Sequence, residues 1–254
     1  MSLLEIENVS VSFGGVVALD SVGFAIERGN ICGLIGPNGA GKTTLFNCVS
    51  RVYQPSQGRI SYDGVDLLKL RACDVPSLGI SRTFQNLGLL LDQSVMTNVL
   101  LGAHHRMRTP YFASLLHLPP SRREERRIRE ACMQILRDLN IDHLAHTTTG
   151  GLPFGTLKRI ELARALASDP TLILVDEPAN GLTHSEVDEL GDLLLQLRED
   201  HNLTVLLVEH HMRLVMRVSD KIVALALGKK ILDDTPEKAQ EDEALIAAYF
   251  GSPT

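Results

Sequence analysis

The sequence predicts an α/β protein: a parallel sheet with crossover helices, an antiparallel β part beside it and an inserted α-helical part. Three observations carry that expectation. From Ile160 onward the pattern alternates: a helix over 160–167, a buried strand over 172–175, a helix carrying Val187, Leu190, Leu194 and Leu197, and a strand over 205–208. That is the rhythm of strands joined by crossover helices. Near the start, Leu4, Ile6, Val9, Val11 and Phe13 alternate imperfectly, and Val22, Phe24 and Ile26 keep a period of two, which reads as antiparallel strands. Between Gln85 and Leu152 the pattern turns mainly helical, over 94–104 and 121–140, broken by Pro110, Pro119 and Pro120.

Taken in order, the next feature is an apolar run, 31–35, followed by Gly36-Pro37-Asn38-Gly39-Ala40-Gly41-Lys42-Thr43-Thr44 and a segment, 44–49, that winds as a helix. The loop fills every fixed position of GxxxxGK[ST]. A strand, a glycine-rich turn and a helix N-terminus aim several backbone N–H groups at one spot, where the helix dipole adds positive potential. A polyphosphate is the natural occupant: Lys42 reaches its β- and γ-phosphates and the Thr43 hydroxyl sits on Mg²⁺. Ile60 and Tyr62, followed by Asp63-Gly64, read as a strand entering a turn. Further on, Ile128, Cys132, Ile135 and Leu139 recur at helical spacing behind a run of interleaved Arg and Glu, a solvated helix face. Thr183 and Glu186 supply a capping box for the helix after the first buried strand.

Composition bounds the rest. The chain has 254 residues, 44% hydrophobic and 22% charged, enough for one large or two modest domains with a sizeable core. A net charge of −6 argues against a general nucleic-acid binder, which needs clustered Lys and Arg on a basic balance. Cys32, Cys48, Cys73 and Cys132 show no paired spacing and read as buried free thiols in a reducing compartment. No apolar run approaches the ~18 residues needed to span a bilayer, and the first residues lack a charged leader. The expectation is a cytoplasmic protein, peripheral to any membrane it serves.

Asp176 and Glu177 end the strand over 172–175, which puts two carboxylates at the edge where open α/β sheets bind ligands. An aspartate there holds Mg²⁺ through its water shell, and the adjacent glutamate orients or deprotonates an attacking water. Glu209, His210 and His211 follow the next apolar strand. A metal site is weighed for these three and set low, because adjacent residues point in different directions; a γ-phosphate contact from His210 is preferred.

The phosphate loop, Arg82-Thr83-Phe84-Gln85-Asn86, Leu152-Pro153-Phe154-Gly155-Thr156 before a helix with Arg164-Ala165-Leu166, Leu174-Val175-Asp176-Glu177-Pro178 and Val208-Glu209-His210 occur together. Their order resembles that of ATP-binding-cassette transporter ATPases over essentially the whole chain. Within that superfamily the chain looks most like the ATP-binding subunit of branched-chain amino-acid importers. The pointers are 13–19, Arg82-Thr83-Phe84-Gln85, Glu209-His210-His211-Met212 and Ala248-Tyr249-Phe250-Gly251.

The resemblance implies ATP and Mg²⁺ as cofactors. It implies that Phe13 stacks on adenine, that Gln85 sits on Mg²⁺ or the lytic water and links the nucleotide to membrane subunits, that Asp176 supports Mg²⁺, that Glu177 activates water and that His210 contacts the γ-phosphate. The loop Asn180-Gly181-Leu182-Thr183 touches an opposing subunit, and Gly155 meets the nucleotide held there. The implied partners are a second cassette, alike or paralogous, integral membrane permeases and, indirectly, a solute-binding protein, with no nucleic acid. The implied place is the cytoplasmic face of the cell membrane. A single cassette, 1–254, is expected, with the core and β part over about 1–85 and 160–234, the helical part over about 86–159 and a tail over 235–254.

One departure matters. The signature loop of these ATPases reads Leu-Ser-x-Gly-Gln, whereas Pro153 replaces the serine and Thr156 the glutamine. Proline offers neither hydroxyl nor N–H. The expectation is an asymmetric pair: the site on this chain's own phosphate loop hydrolyses ATP and the opposite one is weakened. Alternatives of other classes are an importer ATPase for amides or urea, a low-turnover nucleotide-binding cassette, a soluble mechanical cassette ATPase and a GTP switch. The last two are disfavoured, because the length leaves no room for a coiled-coil insertion or a tandem cassette, and no Asn-Lys-x-Asp occurs.

Overall fold

The computed structural model describes residues 2–83, 88–106, 119–242 and 245. The alternating segments at the start form the antiparallel strands β1 (Ser2–Phe13) and β2 (Val16–Glu27), joined at Gly14 and Gly15. β4 (Gln57–Tyr62) pairs with β1 on its other edge. It turns through Asp63 and Gly64, at φ 47° and 78°, into the short β5 (Val65–Asp66). Asp followed by Gly, both left-handed, suits a two-residue hairpin. The sheet order is β2-β1-β4-β5.

The second sheet holds β3 (Ile31–Ile35), β6 (Ile80–Arg82), β7 (Leu172–Asp176), β8 (Thr204–Val208), β9 (Lys221–Ala226) and β10 (Lys229–Asp234), in the order β10-β9-β3-β8-β7-β6. The neighbours from β9 to β6 pair in parallel, while β10 is antiparallel to β9, so the expected parallel sheet is mixed at one edge. Every residue of β3, β7 and β8 is buried. Alternation divides their side chains between two cores. Ile173, Val175, Val205 and Leu207 face one, and Leu172, Leu174, Leu206 and Val208 face the other.

The first of these cores is completed by α2 (Val95–Gly102), α3 (Pro119–Asp138), α4 (Phe154–Leu166) and α5 (His184–His201). The second is completed by the antiparallel sheet and α1 (Lys42–Val49). α6 (Met212–Val218) and α7 (Pro236–Glu241) complete the described α-helices. On α3, Ile128, Cys132 and Ile135, with Leu139 just past its end, are buried while Arg126, Arg127 and Arg129 are exposed, as the spacing requires. α2 is capped by Ser94, whose hydroxyl accepts from Thr97 N–H. α5 carries the expected capping box, with Thr183 N–H donating to Glu186 Oε2 at 2.8 Å.

Two expectations need correction. α4 begins at Phe154, not Ile160, so the segment after Pro153 is already helical. Of the four cysteines, Cys32, Cys48 and Cys132 are buried but Cys73 is exposed. It sits on the 3₁₀ segment Ala72–Leu78. Burial pushes the Cys32 thiol up to about 12 and those of Cys48 and Cys132 up to about 11, which leaves these three largely as thiols at neutral pH.

Candidate nucleotide site

The loop between β3 and α1 is shaped by glycine. Gly36 has φ 147°, and a Cβ there would lie 2.1 Å from the Leu225 carbonyl oxygen of neighbouring β9, so no side chain can be accommodated. Gly39 and Gly41 also have positive φ, and Gly41 is the N-cap of α1. The loop thus curls over the first turn of the helix, and Lys42 folds back inside it. Its Nζ donates to the carbonyls of Gly36 at 2.6 Å and Pro37 at 3.0 Å. Burial pushes the Lys42 ammonium below its usual pKa, opposed by the nearby charges of Glu177 and Asp176. The Thr43 side chain is exposed and Thr44 half-buried. One groove is lined by 38–44 with Ala18, Glu177 and His210.

Asp176 ends β7 with its side chain 2% exposed. Arg82, from the end of β6, donates Nη2 to Asp176 Oδ2 at 3.2 Å and Nη1 to Asn47 Oδ1 at 2.6 Å, and its guanidinium lies over the Phe46 ring. Asp176 N–H in turn donates to Thr83 Oγ1 at 3.1 Å. Burial raises the Asp176 carboxyl above the usual carboxylate range, and Arg82 works against that rise. Glu177 leaves the strand in the left-handed region, φ 47°, with its N–H on Val208 O at 2.8 Å. Its Oε1 lies 2.7 Å from His210 Nε2. Since an ionised carboxylate only accepts, that imidazole nitrogen is the donor.

The structure therefore brings together Gly36, Pro37, Asn38, Gly39, Ala40, Gly41, Lys42, Thr43, Thr44, Glu177 and His210, with Asp176 close enough to act on Lys42. Gly155 is not among them. It lies in the first turn of α4, where a Cβ would press on Glu186 Oε1 at 2.8 Å. Phe13 is 46% exposed at the end of β1, its ring edge-on to Tyr53 with centroids 5.1 Å apart. Gln85 lies outside the described residues, as do Ala248, Tyr249, Phe250 and Gly251. Among the described residues no group of three or more His, Cys, Asp or Glu could hold a metal ion, so Glu209, His210 and His211 form no such site. The oxygen donors Thr43 and Asp176 are the chemistry that a hard cation such as Mg²⁺ prefers.

Sequence reasoning gave no role to Arg82 and weighed Glu209 only as a metal ligand; the fold turns both inward. Arg82 is only 17% exposed and Glu209 1%. A charged residue beside an apolar strand end was the available signal, but it does not tell a buried ion pair from a solvated one.

The chain matches the family model described as ABC transporter over residues 19–180. It is 39% identical over 249 residues to the high-affinity branched-chain amino acid transport ATP-binding protein BraF of Pseudomonas aeruginosa, covering 98% of each chain. It is 35% identical to LivG of Escherichia coli, of the same description, again over 98% of each. Among solved structures it is similar to an ATP-binding cassette of an ABC transporter in its ADP conformation, with a TM-score of 0.86, 28% identity, and coverage of 99% of this chain and 100% of the other.

Proposed function

We propose that this chain, which belongs to the ABC transporter family, is the ATP-hydrolysing subunit that energises an importer of branched-chain amino acids. It binds nucleotide and it is an ATPase. The solute rests on the relatives' descriptions, BraF and LivG, since solute choice lies in other subunits. The observation that carries the reading is the groove in which the phosphate loop and Lys42 face the Glu177–His210 pair.

In the mechanism we infer, the triphosphate takes the place of the Gly36 and Pro37 carbonyls as the partner of Lys42 Nζ, and loop N–H groups receive its oxygens. Glu177 orients a water for in-line attack and accepts its proton, while His210 fixes that carboxylate and reaches the γ-phosphate. Mg²⁺, when bound, neutralises charge on the phosphate oxygens, and Thr43 and Asp176 are the residues that would hold it. Gln85 is proposed to join them, and Phe13, exposed and apolar, to offer its face to adenine.

Gly155 and the loop 180–183 lie close together: a Cβ on Gly181 would come 2.9 Å from the Phe154 ring, and one on Gly155 3.7 Å from Leu182. Neither lines the chain's own phosphate groove. That placement supports a second cassette, alike or paralogous, whose nucleotide they would face. Among the described residues no helix is long and apolar enough to cross a membrane. From the relatives' descriptions as transport ATP-binding proteins we place the chain peripherally, on permease subunits at the cytoplasmic face, fed by a solute-binding protein. Within 1–254 we propose the division into a core with β part, a helical part at about 86–159 and a tail from 235.

The test is Glu177→Gln against Lys42→Ala. The first is expected to hold Mg·ATP as tightly as the parent and to lose at least about a hundredfold in kcat. The second is expected to lose nucleotide affinity. A Glu177→Gln protein that turns over like the parent would remove the proposed base.

A further inference from the structure

Glu209 is a buried carboxylate that the mechanism above leaves unused, and its surroundings are unusual. It follows β8 directly, is 1% exposed, and both of its oxygens accept hydrogen bonds. Oε1 takes Ala179 N–H at 2.8 Å. Oε2 takes His210 N–H at 2.6 Å, His211 N–H at 2.9 Å and His211 Nδ1 at 3.1 Å. The three N–H groups are donors, and against an acceptor-only carboxylate the His211 Nδ1 takes the donor role as well.

The donors come from two different loops. Ala179 belongs to the loop that leaves β7 after Glu177 and leads through Gly181 to the α5 cap at Thr183, while His210 and His211 form the turn into α6. β7 and β8 are adjacent parallel strands, with Asp176 opposite Val208, so the two loops emerge side by side. Just beyond the strands, Glu177 N–H donates to Val208 O at 2.8 Å. Glu209 supplies the next tie, and on its Oε2 side it fixes the backbone of the residue whose imidazole touches Glu177.

We propose that Glu209 is a positioning residue for ATP hydrolysis: its carboxylate clips the loop 178–183 to the His210 turn, so that His210 meets Glu177 only when that loop is in place. The proposal rests on the function proposed above. It gives the loop that would face a second cassette a direct mechanical line to the catalytic carboxylate, through Ala179, Glu209 and His210. Removal of the tie leaves the phosphate loop untouched, so it should act on turnover and not on nucleotide grip.

Glu209→Gln preserves shape but must turn its amide NH₂ toward one of the two donor sets, which breaks the clip on one side. The prediction is a loss of roughly ten- to a hundredfold in kcat with the dissociation constant for Mg·ATP within about twofold of the parent. Glu209→Asp, which retains the charge but is shorter, should recover part of kcat. In a cycle with His210→Ala, the Glu209→Gln change should add little further loss, because both act through one imidazole. Backbone amide exchange, read by mass spectrometry, should quicken in both 178–183 and 209–212 in the Gln variant.

Parent-like kcat, a fall in nucleotide affinity matching the fall in kcat, or fully additive losses with His210→Ala would each overturn the proposal. The parent and Glu177→Gln run alongside. If those two do not differ in turnover, it is the proposed function that has failed, and the exchange data at 178–183 and 209–212 still report whether the clip exists.

Discussion

Substitution of Arg82 by Met tests what holds the acid beneath the phosphate loop. Arg82 Nη2 and Asp176 Oδ2 are 3.2 Å apart with side chains 17% and 2% exposed. At an effective dielectric of about 20, unit charges at that distance attract by about 5 kcal/mol. Desolvation offsets much of it, yet removal of one partner of a buried pair typically costs about 3 to 5 kcal/mol because the other charge is stranded. Partial exposure of Arg82 places the expectation at the low end, about 3 kcal/mol, or about 6 to 12 °C in Tm for a chain of this size. The lost bond to Asn47 Oδ1 adds a part that does not vary with pH.

The pH dependence separates the two parts. Burial holds the Asp176 carboxyl above its ordinary value, so its ionised form is penalised in the folded state. That penalty is absent below the unfolded value and grows as pH rises through the folded one. Loss of Arg82 lifts the folded value further and deepens the penalty at neutral pH. Urea unfolding should therefore show the larger difference between Arg82→Met and parent near pH 7 and a smaller one at acid pH, as Asp176 takes up its proton. Addition of Asp176→Asn should recover much of the neutral-pH loss. Equal losses at both pH values, or no recovery with the amide, would refute the reasoning.

Two other substitutions probe the helical part. Restoration of serine at Pro153 and glutamine at Thr156 should raise ATPase activity of the complex assembled with its partner cassette. Because Pro153 is the N-cap of α4 and makes no side-chain cap bond, the serine should also stabilise the isolated chain by about 1 kcal/mol in urea unfolding; unchanged ATPase activity would remove the asymmetric-pair expectation. Gly102→Ala should destabilise by about 1 to 3 kcal/mol in a thermal melt, since its Cβ would fall 1.8 Å from the Arg164 carbonyl oxygen and force α2 away from α4.

Much of the fold was legible because local chemistry and tertiary demand agree. The glycine loop after 31–35, the Asp63-Gly64 turn, the Thr183–Glu186 box and the apolar face of α3 appear where the sequence put them. The hairpin of β9 and β10 was not anticipated. Its apolar run, 222–226, was a fair strand signal, but its turn is Leu227-Gly228 at φ 48° and 79°, with a leucine where Asn or Asp is the usual residue. β10 begins with two lysines and ends with two aspartates, an edge that reads as a polar loop. The phosphate loop, Asp176, Glu177 and His210 were found by motif, whereas Arg82 joins Asp176 across 94 residues, a contact no local pattern encodes.

Charge accounts for how these parts form a site before any nucleotide arrives. Lys42 is desolvated and held by carbonyls, and the charges acting on it are Glu177 and Asp176. Asp176 is in turn neutralised by Arg82, and Glu177 receives a hydrogen bond from His210. Two cations thus stand against two carboxylates, and the loop N–H groups remain the main source of positive potential toward the groove. A free triphosphate entering there meets little net attraction from side chains, so its affinity should depend on a divalent cation that offsets its charge. Nucleotide titrations with and without Mg²⁺ should then differ more steeply in the parent than in Asp176→Asn, which lacks one of the opposing carboxylates. If the two proteins lost the same factor on chelation of the metal, Asp176 would not be what holds it.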